Sequence, residues 1–252
     1  MPIDFFVINL DRSAERLAAI ERDAAGFGIS LIRVPAVDGK SVPAADRWLL
    51  DRAGFLRRHG KHPMDGEYGC YASHIEALRR IAAGPAEAGV VLEDDARPLA
   101  TLRPVLDALM ERDDWDVVRF AHHRRVPRRL LRALPAGHGL FAVFFGPTGS
   151  AAGYIVRRSV AAALADRMTP MRLPVDVALE RGWATGVRTR DIWPNLVAYS
   201  SHSKQSLTQA GRRYGAMKLK PWRRIPTLIF RTGDALRRFA FALRARGGDA
   251  HP

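Results

Sequence analysis

Apolar residues near the start of the chain form one continuous run and then recur with helical spacing. The run over residues 3–10 is rich in β-branched and aromatic side chains, which predicts a strand buried on both faces. Leu17, Ile20 and Ala24 follow at intervals of three or four, which predicts a helix that ends at the next glycines. A second run over 29–34 predicts another strand, so the chain opens as a βαβ unit.

The same reasoning divides the rest of the chain into helices and strands. Helices are predicted over 67–83, 99–112 and 159–168, with shorter ones near 46–56 and 174–180. Strands are predicted over 89–92, 115–121, 141–145, 153–156 and 187–197, the last broken by Pro194, and the Arg- and Pro-rich residues 122–139 predict a mobile loop. The pattern favours an α/β domain over residues 1–211, with a mostly parallel, Rossmann-like central sheet flanked by helices, and a basic helical tail over 212–252.

The net charge of +14 comes mainly from this tail. Residues 212–246 contain eleven Lys or Arg and one acidic residue, whereas the first two hundred residues are nearly balanced. A nucleic-acid-binding protein would fit a pI of about 11.0, but no recognised nucleic-acid motif accompanies the charge. No apolar run reaches the ~20 residues that span a bilayer, and no basic segment precedes the first apolar run, so we expect a cytoplasmic protein. Cys70 is the single cysteine, which excludes an intramolecular disulfide.

The tail has the pattern of an amphipathic helix from Pro226 onward. One face carries the apolar residues Leu228, Ile229, Leu236, Phe239 and Leu243, and the other faces carry arginines. A basic helix with aromatic residues favours binding to a membrane surface, which would make the protein peripheral at the inner membrane face. The alternative is a terminal helix that docks on the domain and leaves its basic face in solvent.

The predicted strand over 89–92 ends in three consecutive carboxylates, those of Glu93, Asp94 and Asp95. Carboxylates crowded within ~4–6 Å repel and raise one another's pKa, so this arrangement calls for a cation. Oxygen ligands suit Mg²⁺ or Mn²⁺, which would also hold a diphosphate. Glu93 and Asp95 point to the same side of an extended backbone and are the better pair of ligands. The alternative is a solvated acidic turn with Arg97 as its counter-ion.

Several short motifs resemble those of the family 25 glycosyltransferases, which include lipooligosaccharide and collagen galactosyltransferases. In the family's order they are Val-Ile-Asn-Leu-Asp-Arg-Ser at 7–13 followed by Glu15-Arg16, Ala-Val-Asp-Gly at 36–39, Glu-Tyr-Gly-Cys-Tyr-Ala-Ser-His at 67–74 and Val-Leu-Glu-Asp-Asp-Ala at 91–96. Gly-Tyr-Ile-Val at 153–156 and Pro-Val-Asp at 174–176 resemble later elements of the family. Together the motifs cover most of the chain up to residue 200.

The resemblance implies a GT-A-type fold and an inverting, metal-dependent enzyme that moves a hexose, often galactose, from a nucleotide sugar. We therefore expect a UDP-sugar donor, Mn²⁺ or Mg²⁺ as cofactor, and a surface glycan or glycolipid such as lipooligosaccharide as acceptor. The donor-binding residues implied at motif positions, with Lys204 added from a later polar loop, are Asn9, Asp11, Arg12, Arg16, Asp38, Ser73, His74, Asp94 and Lys204. The alternatives are surface ion pairs for the arginines, an Asp-Gly turn at Asp38 and a core histidine at His74.

Glu93 and Asp95 are the expected metal ligands, with His202 as a third. Inversion requires a base that takes the acceptor's hydroxyl proton, and Asp176 is the first candidate and Glu180 the second. The alternative for Asp176 is the N-cap of the short helix that follows it. For His202 and Lys204 the alternative is an exposed polar loop.

Two other classes of protein remain compatible with these residues. A non-catalytic glycan- or membrane-binding protein would have the same fold without turnover, and a hydrolase would direct paired carboxylates at water. The acidic triplet and Asp176 argue against the first class. Water competing for the donor would appear as slow hydrolysis, so the rate of donor turnover with and without acceptor would separate a hydrolase from a transferase.

Overall fold

The continuous apolar runs form the middle of an eight-stranded sheet in the computed structural model, which describes residues 2–199 and 217–246. The strands are β1 Ile3–Asn9, β2 Leu31–Pro35, β3 Ala88–Glu93, β4 Ala96–Pro98, β5 Val117–Arg119, β6 Arg128–Ala133, β7 Gly139–Val143, β8 Gly153–Arg157, β9 Thr189–Trp193 and β10 Val197–Tyr199. The helices are α1 Ala14–Ala25, α2 Arg52–His59, α3 Asp65–Ala83, α4 Leu102–Met110, α5 Arg158–Met168, α6 Val175–Leu179, α7 Gly182–Thr185 and α8 Ile225–Arg244.

The strands are ordered β2-β1-β3-β8-β5-β9-β7-β6, and β10 pairs separately with β4. Pairings β1–β2, β1–β3 and β5–β9 are parallel and the other four are antiparallel. Following these pairings across the sheet, β7 and β8 run opposite to the remaining strands. The expected α/β fold with a large central sheet flanked by helices is therefore confirmed. Six of the eight strands run in the same direction, and the sheet is mixed because β7 and β8 run in the other.

Both faces of the sheet are buried, which explains why its central strands have no alternation of apolar and polar residues. Phe5 and Val7 of β1 pack on one face in a core with residues of α1 and α4. Phe6 and Ile8 pack on the other face with residues of α3 and α5. The helices therefore cover the sheet as two outer layers around the strands that lead to the acidic residues.

The structure corrects the expectation of a loop over 122–139, because this segment contains β6. β6 lies at one edge of the sheet, opposite the edge formed by β2, and pairs with β7 in antiparallel fashion. Its arginines suit an exposed edge, where charge discourages pairing with other chains. Arg128 lies over the ring of Trp193 at 4.6 Å, and Arg132 contacts Asp114 at 3.2 Å, so these side chains are bound to the domain.

The helix expected near 46–56 begins later than predicted. A short 3-10 turn occupies Ala44–Asp46, and α2 starts at Arg52 after Asp51, whose side chain accepts a hydrogen bond from the Gly54 amide at 2.8 Å. Asp51 therefore acts as the N-cap that sets the start of the helix. The break predicted at Pro194 is confirmed, since it separates β9 from β10.

Two glycines let the segment after β2 pass close to the start of α3. A Cβ on Gly39 would lie 1.8 Å from the Asp65 carbonyl oxygen, and one on Gly69 would lie 2.3 Å from that of Val37. No other residue fits at this separation, so the glycines determine where the segment over 36–39 lies. The contact places Asp38 beside the helix that carries Ser73 and His74.

Helix α8 of the tail packs on the body of the protein against α2, α7 and β7. Its buried residues are Thr227, Arg238 and Ala242. A helix is thus present where the tail was expected to form one, and it docks with Arg238 buried while Leu228, Ile229 and Leu236 of the predicted apolar face are exposed. In the described part of the chain, no helix has both the length and the apolar content needed to cross a bilayer.

Candidate functional site

The ends of β1 and β3 meet at one edge of the sheet and bring Asn9 next to the acidic triplet. The two strands are parallel neighbours, and ligands of open α/β sheets bind outside such carboxyl ends. Asn9 donates to Asp94 at 2.7 Å and to the Ser13 carbonyl at 3.0 Å, and it accepts from Arg33 at 3.3 Å. It is 1% exposed. Asn9 therefore holds the strand ends together.

Asp94 lies against the end of β1, where it accepts the hydrogen bond from Asn9. Besides Asn9 it contacts Arg16 of α1 at 3.0 Å. Burial raises the pKa of Asp94, while the hydrogen bond from Asn9 and the charge of Arg16 oppose that rise. Arg16, which was expected to bind the donor, thus has the carboxylate of Asp94 as its partner.

Glu93 is held from the side of α3 by two residues one helical turn apart. His74 Nε2 lies 3.2 Å from Glu93 Oε1, and the Cys70 thiol lies 3.8 Å from the same oxygen. His74 Nδ1 lies 2.9 Å from the Tyr154 hydroxyl, so both ring nitrogens have partners. Burial raises the pKa of Glu93, but the hydrogen bond and charge of His74 outweigh it and the pKa lies below its ordinary value.

Asp95 is the carboxylate of the triplet that lacks neutralisation. Burial, followed by the charges of Glu93 and Asp94, raises the pKa of Asp95 to about 6. Its Oδ1 atom is buried and has no hydrogen-bond partner among the residues that the structure describes. A buried, unpaired carboxylate oxygen is costly unless it binds a proton or a cation. Hard oxygen ligands of this kind fit Mg²⁺ or Mn²⁺.

Three residues that the sequence did not indicate, Ser150, Tyr199 and His123, are in contact, with Tyr199 touching the other two. The Tyr199 hydroxyl donates to Ser150 Oγ at 2.7 Å, and the rings of Tyr199 and His123 lie 4.6 Å apart. Burial is the main cause of the raised pKa of Tyr199, and the charges of Glu93 and Asp95 raise it further. Ser150 has a φ of 77°, a left-handed conformation that costs free energy in a residue with a side chain and is common at functional sites.

Asp176 lies at the start of α6, where Pro174 rather than Asp176 is the N-cap. The N-cap alternative for Asp176 therefore does not apply. Burial, followed by the charge of Glu180, raises the pKa of Asp176 to about 6. Burial raises the pKa of Cys70, and the charges of Glu93 and Asp176 raise it further. A carboxylate with such a pKa can exchange protons near neutral pH.

Glu180 is fully engaged by the protein. Its Oε1 accepts from Arg119 at 2.9 Å and from the Thr148 amide at 2.8 Å, and its Oε2 accepts from Arg238 at 2.6 Å. Burial opposes ionisation, but the charges of Arg119 and Arg238 dominate and lower the pKa of Glu180 to about 2. Because Glu180 is occupied by these bonds, Asp176 is the better candidate for a base. Glu180 instead stabilises the segment over 146–150 through its bond to the Thr148 amide.

The remaining donor-binding candidates differ in their accessibility. Ser73 is buried, accepts from the Val37 amide at 2.8 Å and donates to the Gly69 carbonyl at 2.7 Å, so it fixes the segment over 36–39. Arg12 pairs with Asp38, and Asp11 pairs with Arg33, all near the surface. The pKa of Asp38 is lowered, first by the hydrogen bond from the Lys40 amide. His202 and Lys204 lie outside the residues that the structure describes.

A family model described as Glycosyltransferase family 25 (LPS biosynthesis protein) matches residues 3–179 of the chain, a range that includes the acidic triplet and Asp176. The chain therefore belongs to glycosyltransferase family 25. The match ends before α8, so the helix that supplies Arg238 lies outside the region shared with the family.

Named relatives match part of the chain. A glycosyltransferase 25 family member of Aedes aegypti is 33% identical over 129 residues, which are 47% of this chain and 21% of that protein. Procollagen galactosyltransferase 1 of Danio rerio is 28% identical over 184 residues, which are 69% of this chain and 30% of that protein. Procollagen galactosyltransferase 2 of Mus musculus is 27% identical over 141 residues, 52% of this chain and 23% of that protein. The chain thus spans less than a third of the length of each relative.

Removal of the Arg238 side chain leaves a buried carboxylate oxygen of Glu180 without its charged partner. We expect Arg238→Met to lower the free energy of unfolding by about 3–5 kcal/mol, the usual cost of breaking a buried ion pair from one side. Urea unfolding at pH 7 measures this value. The matched control is Arg237→Met at the exposed neighbouring position, which should change stability by less than about 0.5 kcal/mol. Equal effects of the two variants would contradict the role given to Arg238.

Proposed function

We propose that the protein transfers a hexose, galactose in particular, from a UDP-sugar to a hydroxyl group of a surface glycan, with inversion of the sugar linkage. The observation that carries the proposal is the buried, unpaired Oδ1 of Asp95 beside Glu93 at the end of β3. The family supports glycosyl transfer in general. Galactose as the sugar rests on the relatives named procollagen galactosyltransferases, and a glycan or glycolipid acceptor rests on the family description.

Glu93 and Asp95 would hold Mn²⁺ or Mg²⁺, which neutralises charge on a diphosphate when it is bound. Two arginine side chains near this position can also contact the diphosphate. The Arg12 and Arg16 side chains are 57% and 41% exposed, so both can reach a phosphate while keeping part of their contacts with Asp38 and Asp94. Asn9 and Ser73 support the donor indirectly, since their polar atoms are already bonded within the protein.

Asp176 takes the proton from the acceptor hydroxyl in this mechanism. Inversion needs the attacking oxygen on the face of the sugar opposite the diphosphate, with the base within hydrogen-bond reach of that oxygen. The charges of Asp176 and Glu93 both act on Cys70, which supports a base close to the proposed donor site. Tyr199 and His123 provide an aromatic wall against which sugar rings can pack.

The exposed face of the tail helix α8 suggests where in the cell the reaction takes place. Beside the residues of α8 that pack on the body, its other face exposes Ile225, Leu228, Ile229, Leu236 and Leu243. The exposed bases at and around the helix are Lys218, Lys220, Arg223, Arg231, Arg237, Arg244 and Arg246. Asp234, the acidic residue of the helix, is paired with Arg181 at 2.8 Å on the docked side. An apolar face flanked by bases fits an anionic bilayer surface, so we propose that the protein is peripheral at the inner membrane face.

The donor and metal are tested by thermal unfolding with UDP-, GDP- and CMP-sugars, each with and without Mn²⁺. We expect a rise in Tm with UDP-galactose plus Mn²⁺, because a ligand that binds only the folded state stabilises it. Asp95→Asn should abolish that rise. Asp166→Asn, an exposed position on α5, should keep it. The absence of a shift with every nucleotide sugar would favour the non-catalytic glycan- or membrane-binding protein.

The role of Asp176 is tested by the pH dependence of UDP release in the presence of a lipooligosaccharide acceptor. A base must be ionised, and the pKa of Asp176 is raised to about 6. The rate should therefore rise as the pH increases through about 6 and level off above it. Asp176→Asn should lower the rate by about 10²–10⁴-fold. Because the pKa of Asp95 is also raised to about 6, the comparison is made at saturating Mn²⁺, which keeps Asp95 ionised, and the variant should then lose this dependence. A variant that keeps the wild-type rate and pH profile would exclude Asp176 as the base.

Membrane binding is tested by co-sedimentation with vesicles containing anionic phosphatidylglycerol. Ile229→Ser combined with Leu236→Ser removes two side chains that are 70% and 68% exposed, so the fold should persist while the bound fraction falls several-fold. Leu130→Ser, at an exposed apolar position of β6, is the matched control and should bind as the wild type does. Raising the salt concentration should also weaken binding, because the bases contribute through screened charge. Equal binding of all three proteins would refute a role for α8.

A further inference from the structure

Cys70, His74 and Glu93 form a cluster of three different ligand types at the edge of the candidate site. Cys70 and His74 are four residues apart on α3 and therefore lie on the same face of that helix. Glu93 reaches them from the end of β3. One ligand atom from each residue lies within 4.8 Å of the other two.

This set of a sulfur, an imidazole nitrogen and a carboxylate oxygen differs from the all-oxygen pair of Glu93 and Asp95. Mg²⁺ and Mn²⁺ prefer oxygen ligands, whereas thiolate and imidazole select Zn²⁺ and similar cations. Three protein ligands with a fourth position left for water are typical of open zinc sites. The contacts of Glu93 Oε1 with His74 Nε2 at 3.2 Å and with Cys70 Sγ at 3.8 Å already bring the ligand atoms together before any ion binds.

Tyr154 supplies the support that a ligating histidine requires. Its hydroxyl lies 2.9 Å from His74 Nδ1, and both side chains are completely buried. With the proton on Nδ1, this contact fixes the ring and leaves the lone pair of a deprotonated Nε2 directed at the cluster. Cys70 is only partly buried, so an ion can approach from the candidate site.

We propose that Cys70, His74 and Glu93 form a binding site for Zn²⁺ that competes with the hard cation of the donor site. Both sites use Glu93, so an ion on the sulfur and nitrogen side withdraws this carboxylate from Asp95. On binding, the Cys70 thiol and His74 Nε2 each lose a proton to solvent, and the thiolate and the freed ring nitrogen become ligands of the ion. Zinc occupancy thereby lowers transfer activity, a consequence that rests on the proposed function, whereas zinc binding itself does not.

Cobalt is the probe for this site, because Co²⁺ occupies zinc sites and its bond to a thiolate gives a charge-transfer absorption in the near ultraviolet. Cys70 is the single cysteine of the chain, so such a band in the full-length protein reports on that residue. We expect the band with the wild type, its loss on addition of Zn²⁺, and its absence in Cys70→Ser. Tyr154→Phe should weaken cobalt binding by about 10–100-fold, the usual effect of altering a residue that supports a metal ligand. Glu93→Gln, which alters a ligand itself, should weaken cobalt binding at least as much.

If Cys70 bound cobalt without the other two residues, His74→Gln and Glu93→Gln would bind cobalt with the wild-type affinity. That result would overturn the proposal. The absence of any band in the wild type would overturn it as well. In the enzyme assay, Zn²⁺ should inhibit Mn²⁺-dependent UDP release by the wild type, and each variant is compared with its own rate without zinc. A cobalt band without nucleotide binding would support this site while refuting the proposed function.

Discussion

Four buried charges connect the parts of the protein that meet behind the candidate site. Arg119 of β5 contacts Asp191 of β9 at 2.8 Å and Glu180 at 2.9 Å, and Glu180 also contacts Arg238 of α8. The exposed fractions of all four side chains are 8% or less. Charges taken out of water at this cost are stable only when each has its partner, so β5, β9, α8 and the segment over 146–150 must be in place together.

The acidic triplet shows how neighbouring residues of one type acquire different properties. Asn9 and Arg16 bind Asp94, His74 and Cys70 bind Glu93, and Asp95 is left with an unpaired oxygen. The direction of the backbone at the end of β3 separates the three side chains. Protein groups therefore bind the carboxylates of Glu93 and Asp94, whereas one oxygen of Asp95 has no partner among the described residues.

Local patterns were sufficient to predict the central strands and the longest helices, because continuous apolar runs and helical spacing reflect burial directly. β6 was missed since an edge strand carries charges that resemble those of a loop. The triplet was identified because consecutive carboxylates after a buried strand are a local signal. Tyr199, Ser150 and His123 were missed, because contacts between residues far apart in sequence bring them together. Only the φ of Ser150, which sequence does not reveal, marks that position.

The two oxygens of Glu180 face different partners, which has a mechanical consequence. Oε1 binds Arg119 and the amide of Thr148, whereas Oε2 binds the helix through Arg238. A carboxylate group is rigid and planar, so a displacement of α8 by even a fraction of an ångström would be transmitted to the segment that carries Ser150. Through the single side chain of Glu180, the position of the tail helix and the conformation of the segment over 146–150 therefore depend on each other.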